Sequence, residues 1–296
     1  MNNILVAGAT GNLGNRICRE LVGRGANVTA IVRPSTDAGK LDALKELGVQ
    51  VVEADLASKE AITAACAGID CVVSALAGLR EVIIDIQKNI LDGAIAAGVQ
   101  RFIPSDFCTD YTALLPGMNR NFDLRREFRE YLDSTVIKSS SVFNGAFADI
   151  LQYNTPVLNL KDKSVGYWGE KAGWKLDFTT MDNTAAFTAE VALDADAPRD
   201  LQIASFQVSP DDIQELVKKA TDQTFSLQRL SGLEDFALYL KKQRAENPAG
   251  ENELYARWQQ GQYMYSMFTT HHDKLANDRY DSVQWTGALE FIKTVV

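Results

Sequence analysis

Positive charge is what this sequence is short of: 30 Lys and Arg against 39 Asp and Glu leave a net charge of −9. A surface that grips nucleic-acid phosphates needs clustered cations, so this balance argues against one, and an anionic ligand has to be met by a local cationic site. Histidine is scarcer still. The only two, His271 and His272, are adjacent and have no evident third ligand, so no metal site is predicted. The four cysteines, Cys18, Cys66, Cys71 and Cys108, fall in no C-x-x-C or zinc spacing. In a reducing compartment they read as small buried apolar groups. No apolar run approaches the length of a membrane span, and the amino terminus has neither a basic n-region nor a cleavable apolar stretch; both absences predict a cytoplasmic protein with no membrane partner.

What is present is concentrated at the start. An apolar run, Ile4 to Ala7, leads straight into Gly8, Gly11 and Gly14, spaced G-x-x-G-x-x-G, and then into a helical pattern carrying Ile17, Leu21 and Val22. Strand, tight turn and helix in that order make the dinucleotide fingerprint: a pyrophosphate reaches the backbone N–H groups of a helix start only where no Cβ intervenes. The next strand, Asn27 to Val32, ends at Arg33. An Arg there suits the 2′-phosphate of NADP, whereas NAD enzymes usually place an acid for the ribose hydroxyl. Lys40 adds a second positive charge. Val49 to Val52 is a third strand, whose end puts Asp55 and Leu56 toward an adenine, and Ser58 is the expected N-cap of the helix that follows. A fourth strand, Cys71 to Ser74, runs into the small residues Ala75, Leu76, Ala77 and Gly78. A helix is expected from about Val82 to Ala97, stopped by Gly98. The strand Arg101 to Ile103, a helix from about Phe122 to Leu132 and a strand Thr135 to Ser139 complete the arithmetic of a doubly wound parallel sheet. At 296 residues, one large α/β domain with a smaller C-terminal substrate lobe is the natural size class. The expected division is 1–153, completed by about 176–206, for the dinucleotide domain, with 154–175 and 207–296 as the lobe.

Five segments together resemble the NmrA-like, isoflavone-reductase-like group of atypical short-chain dehydrogenases: GATGNLG at Gly8 to Gly14, VRPST at Val32 to Thr36, SALAG at Ser74 to Gly78, RFIPSDF at Arg101 to Phe107, and S-S-x-x-F-x-G from Ser139 to Gly145. Phe178 to Leu193 and Tyr280 to Val296 resemble later parts of the same family. The resemblance implies NADP(H), preferred over NAD(H), bound by Gly8, Thr10, Gly11, Asn12, Leu13 and Gly14. It extends to Arg33, Asp55, Leu56, Ser74, Ala75 and Leu76, to Ser105, Asp106 and Phe107, and to the Val142-Phe143 turn.

One part of the family pattern is missing. Its reductases use a lysine a few residues ahead of an Arg-Arg pair resembling Arg125-Arg126, and the equivalent position here is Asn121, Asp123 or Leu124. No lysine occurs between Lys88 and Lys138, and neither Tyr111 nor Tyr131 is followed by Lys four residues later. Two substitutes suggest themselves as catalytic proton donor. Lys138 lies near the end of a presumed central strand, where it is either the donor or a partner of Asp106; Tyr111 lies in the loop after the fifth strand. That loop, Thr109 to Arg120, is long enough to act as a lid. The later half is rich in aromatic and soft side chains, among them Tyr153, Tyr167, Trp168, Trp174, Trp258, Tyr263, Met264, Tyr265 and Met267; most read as core, and if several line a pocket they suit a planar apolar substrate. Ser209-Pro210-Asp211-Asp212 carries every mark of a helix start. The function predicted is an NADPH-dependent reductase passing hydride to a small aromatic, quinone or carbonyl acceptor. The alternative is an NADP(H)-sensing regulator with a protein partner and little catalysis. Neither reading excludes a homodimer.

Overall fold

In the computed structural model, which describes residues 2–296, the first strand β1 (Asn3–Ala7) is buried at every position from Ile4 to Ala7. A strand with no exposed face has to sit inside a sheet covered on both sides. It does. β1 pairs in parallel with β2 (Asn27–Val32) on one side and with β4 (Cys71–Ser74) on the other. Beyond these lie β3 (Gln50–Glu53), β5 (Arg101–Ile103) and β6 (Lys138–Ser139), all parallel, giving the order β3-β2-β1-β4-β5-β6. That order reverses direction at β1, the point at which a doubly wound sheet binds dinucleotides.

The crossovers are α1 (Asn12–Gly23), α2 (Ala38–Glu46), α3 (Lys59–Ala65), α4 (Gln87–Ala96) and α5 (Arg120–Asp133). Leu5, Val72, Phe102 and Ile90 share one apolar core with Phe128, whose ring centroid is 6.1 Å from that of Phe102. The helix expected from Val82 to Ala97 is divided: Glu81–Ile86 is a wide π turn, and α4 begins only after it. Gln87, at the join, donates to the Ile83 carbonyl and accepts from the Ser105 N–H at 3.0 Å. Gly98 closes the segment at φ +81°, in the left-handed cap its position implied.

β6 is shorter than the strand read from Thr135 to Ser139, because Ser134 and Thr135 bond back through both N–H and hydroxyl to the carbonyls of Tyr131 and Leu132, prolonging the end of α5. It is also the edge of the sheet rather than its centre. Lys138 is accordingly exposed, in contrast to the buried ammonium a central strand would impose.

Contacts divide the chain into two interleaved units, 1–106 with 124–142 and 184–201, and 107–123 with 143–183 and 202–296. The sequence reading placed 107–123 and 143–153 with the dinucleotide domain; the structure groups them with the later chain. The reason is pairing. Leu176–Thr179 forms its own sheet with Ala146–Phe147 and Phe206–Val208, apart from the six-stranded one. The second unit is built on that sheet, on the parallel pair Ser164–Trp168 and Ser226–Ser231, and on the remaining helices. After α6 (Met181–Leu193), these are α7 (Pro210–Thr221), α8 (Leu233–Glu246), α9 (Arg257–Met267) and α10 (Ala288–Val295). Its core centres on Trp168, stacked on Phe236 at 4.4 Å and edge-on to Phe268 at 5.4 Å. Trp168, Trp174, Met264, Tyr265 and Met267 are thereby core or packed against it.

All four cysteines are buried free thiols. Burial pushes Cys18 up to about 12, Cys66 to about 11 and Cys71 to about 12, which keeps these thiols neutral and unreactive at ordinary pH.

Candidate functional site

The loop after β1 is shaped by glycine. Gly8 sits at φ +85°, and a Cβ there would lie 2.5 Å from the Ala75 carbonyl oxygen; a Cβ on Gly14 would drive into the Gly8 carbonyl. Both collisions are with backbone, which cannot give way. The turn is closed by the Gly11 N–H donating to the Gly8 carbonyl at 2.9 Å, and α1 starts at once. Its N-cap is Gly11, no side chain caps it, and its first turn holds no acid. The leading N–H groups of a helix lack intrahelical partners, so this end offers donors and a positive dipole to an anion.

Beside it opens a pocket of about 310 Å³, lined by Thr10, Gly11, Asn12, Asn15, Arg16, Arg19, Lys40 and Ala43. Three cations surround this one hollow in a chain of net charge −9. Lys40 stands in the first turn of α2, whose cap is Asp37 accepting from the Lys40 N–H. Arg16 is turned by its Nε bond to the Asn12 side-chain Oδ1 at 2.9 Å. Arg16 and Arg19 were not singled out from sequence. Their spacing, two and five residues after the last glycine, is the signal that was there to read, since i and i+3 share a helix face. Arg33 is exposed at the end of β2 and does not line this pocket.

The other strand ends carry the remaining expected residues of the first unit. Asp55 accepts from the Ala57 N–H at 2.9 Å, and Leu56 beside it is buried. Ser74 ends β4 opposite Ala7, fully buried, and its hydroxyl has no hydrogen-bond partner among the described residues. Ala75 donates to the Ala7 carbonyl, while the Leu76 carbonyl accepts the Ser105 hydroxyl at 2.5 Å. Arg125 donates to the Ser105 carbonyl at 3.0 Å. Buried Asp106 accepts the Ser141 hydroxyl at 2.8 Å, and Ser141 in turn accepts from Arg199. Val142, next in line, is fully buried.

In the second unit, Tyr111 and Phe143 meet in an aromatic cluster. Their rings cross edge to face at 5.5 Å; Phe122 lies 6.4 Å from Tyr111, and Tyr263 lies 5.3 Å from Phe122. Cys108 and Leu114 complete it. Phe107, just ahead, is buried. Tyr111 has no exposed surface. The segment around it is well tied, with Asp110 capping Thr112 and the Asp110 N–H donating to the ring Nε2 of buried His272. Of the three positions facing the missing lysine, Asp123 accepts from the Gly117 N–H, Leu124 packs into the core of the first unit, and Asn121 donates to the Tyr263 hydroxyl at 2.8 Å. Neither Asn121 nor its partner was weighed as a pair from sequence, because 142 residues separate them.

A six-stranded parallel sheet of Rossmann order, with a glycine turn and a helix start without a side-chain cap at its switch point, defines a doubly wound α/β protein. The profile of the NmrA-like family matches residues 1–284, and the chain belongs to that family. Among curated proteins it is similar to pinoresinol reductase 2 of Arabidopsis thaliana, 27% identical over 317 residues, covering 99% of this chain and 96% of the relative. Among solved structures it shares its fold with AtPrR2 with NADP+ and (+)pinoresinol, at a TM-score of 0.80 and 24% identity over 100% of this chain and 99% of the other. The fold is shared too with a leucoanthocyanidin reductase bound to NADPH from Vitis vinifera, at a TM-score of 0.79 and 18% identity over 99% of each chain. No helix among the described residues is long and apolar enough to cross a membrane.

Proposed function

We propose that this protein is an NADPH-dependent reductase that passes hydride to a small aromatic, quinone or carbonyl acceptor. The observation that carries the reading is the uncapped, acid-free start of α1 beside a pocket holding Arg16, Arg19 and Lys40. The family relatives named as reductases, and solved neighbours described with NADP+ or NADPH, support it.

When bound, the coenzyme supplies hydride from its nicotinamide. The chain's own residues do the rest. Gly8, Gly11 and Gly14 admit the pyrophosphate to the N–H groups of Asn12 and Leu13. Arg16, Arg19, Lys40 and Arg33 would meet the 2′-phosphate and Asp55 and Leu56 the adenine, and the unpartnered Ser74 hydroxyl would be a further donor to the nucleotide. Ala75, Leu76, Ser105, Asp106 and Val142 would take the nicotinamide half. A charge-assisted hydrogen bond to the 2′-phosphate is worth about 1.5 to 3 kcal/mol, roughly ten- to hundredfold in favour of NADP(H).

Calorimetry with NADPH and NADH, followed by NADPH consumption against a panel of quinones and aryl ketones, tests the reading. Tight NADPH binding with turnover is expected. Tight binding with no turnover on any acceptor would leave the sensor reading, which Asn121 at a position near the family lysine favours; no heat with either coenzyme would end both.

A further inference from the structure

We infer that His272 is a pH-sensitive latch on the segment Phe107–Asp123: its neutral ring holds the Asp110 N–H, and a proton added to the ring releases it. Every group in the device lies within the second unit, and none of them is assigned to coenzyme or acceptor.

The ring is fixed by two partners that each act in one direction. The Ile203 carbonyl can only accept, and it lies 3.2 Å from Nδ1; the Asp110 N–H can only donate, and it lies 3.4 Å from Nε2. The hydrogen of the neutral imidazole is therefore on Nδ1, and the lone pair of Nε2 receives Asp110. The backbone of His272 is tied down as well. Its N–H donates to Asp177 Oδ2 at 2.8 Å, and its carbonyl accepts from Gln207, which also donates to Asp177 Oδ1 at 2.7 Å. The side chain has no exposed surface.

An imidazolium donates from both nitrogens and accepts at neither. A proton on Nε2 sets two donors against each other across 3.4 Å, so the Asp110 contact belongs to the neutral ring alone. The charge itself has a counterpart on the side that stays, because the buried Asp177 carboxylate lies 3.8 Å from Nδ1 and can pair with an imidazolium. Asp110 brings a second carboxylate, held by Gln202 and by the N–H and hydroxyl of Thr112. Cys108 and Tyr111, beside it, are buried in the aromatic cluster. His271, Asp273 and Lys274 flank the ring in sequence, and the first two pair at 3.2 Å; residues 202–208 bring no ionisable side chain. The sign follows. The latched segment requires a ring one proton poorer than the released one does, so the latch is closed at high pH and opens as pH falls through the titration of the ring. Asp110 also caps the short turn Tyr111–Ala113, so its release loosens the entry of Tyr111 into its contacts with Phe143 and Phe122.

The experiment reads the His272 ring nitrogens by NMR, and hydrogen exchange at the Asp110 amide corrected for the intrinsic pH dependence of exchange, at about pH 8 and about pH 5, either side of the ordinary histidine value of about 6.5. Expected is the Nδ1–H tautomer at the alkaline end and imidazolium at the acid end. Protection of the Asp110 amide is expected to fall about three- to tenfold between them, the worth of one hydrogen bond. His272→Gln, which takes up no proton, is expected to show equal protection at both ends, and His271→Gln to keep the wild-type response. A hydrogen on Nε2 at the alkaline end, a ring still neutral at the acid end, or unchanged protection of Asp110 would each overturn the latch, as would an equal loss in His272→Gln. Should that variant fail to fold, the wild-type ring spectrum and exchange decide the matter by themselves.

Discussion

Helices α1 and α7 begin in opposite ways. α7 starts at Ser209-Pro210-Asp211-Asp212, where the Ser209 hydroxyl accepts from the Asp212 N–H at 3.1 Å, the Asp212 carboxylate accepts from the Ser209 N–H at 2.6 Å, and Pro210 occupies a position that needs no donor. α1 has none of this: a glycine cap, no side-chain bond and no first-turn acid. α2 and α3 are capped as well, by Asp37 and Ser58. A serine or aspartate cap contributes about 1 kcal/mol, which α1 forgoes; α9 forgoes it too, starting at Ala256 with no side-chain cap and no first-turn acid. What sets α1 apart is the company its bare start keeps: a glycine turn that admits no Cβ, and a pocket lined by Arg16, Arg19 and Lys40.

Filling the bare end is the largest way to break that contrast. Gly14→Ala puts a methyl into the Gly8 carbonyl, which distorts the turn whose geometry presents the donors. The Kd for NADPH is expected to rise about a hundredfold, some 2.8 kcal/mol, by calorimetry. A melting curve on the same sample separates lost binding from lost folding. An unchanged Kd would mean the glycine turn is only a turn.

A smaller effect comes from making α1 resemble α7. Asn12→Asp is isosteric, keeps an acceptor for Arg16, and adds an acid to the first turn. Against the helix dipole that acid stabilises the fold by about 0.3 to 1 kcal/mol, yet it repels the pyrophosphate, and a roughly tenfold weaker Kd for NADPH is expected. Stability and affinity move in opposite directions. The mirror variant, Ser209→Ala, is expected to cost about 1 kcal/mol of stability with NADPH affinity untouched. Parallel movement in both pairs would show that the two helix ends do not differ in kind.

Much of this was legible in the chain because its signals are local. The G-x-x-G-x-x-G turn, the caps at Ser58 and Ser209 and the stop at Gly98 each lie within a few residues of their consequence. What was hidden depends on distance. The placing of β6 at the sheet edge, and so the exposure of Lys138, follows from which strands pair. The interleaving of the two units follows from α5 and α6, each of which begins in one unit and ends in the other. Asn121 and Tyr263 meet only through folding, and an asparagine beside a missing lysine gives no hint of its partner. Arg16 and Arg19 were readable by spacing, but charges on a helix are more often solvated, and only the pocket tells these apart.

The finest test concerns the acid that α7 has and α1 lacks. Burial pushes the Asp212 carboxyl up, but the Lys175 ammonium and the N–H and hydroxyl of Ser209 outweigh it and hold the group below its usual 3.8. A carboxylate whose folded value is depressed contributes stability above its unfolded value and loses it as pH falls through the folded one. The side chain is 39% exposed, so solvent screening keeps the contribution small. Melting temperatures of wild type and Asp212→Asn, followed from about pH 5 down to about pH 2, are expected to differ in favour of wild type at the upper end and to converge at the lower. The α1 end carries no first-turn acid to protonate, so Asn12→Asp should acquire a stabilising increment with the same pH sense that wild-type α1 does not have. A wild-type advantage over Asp212→Asn that stays flat across the range would show that the α7 cap draws nothing from its charge, and the two helix starts would then differ in hydrogen bonding alone.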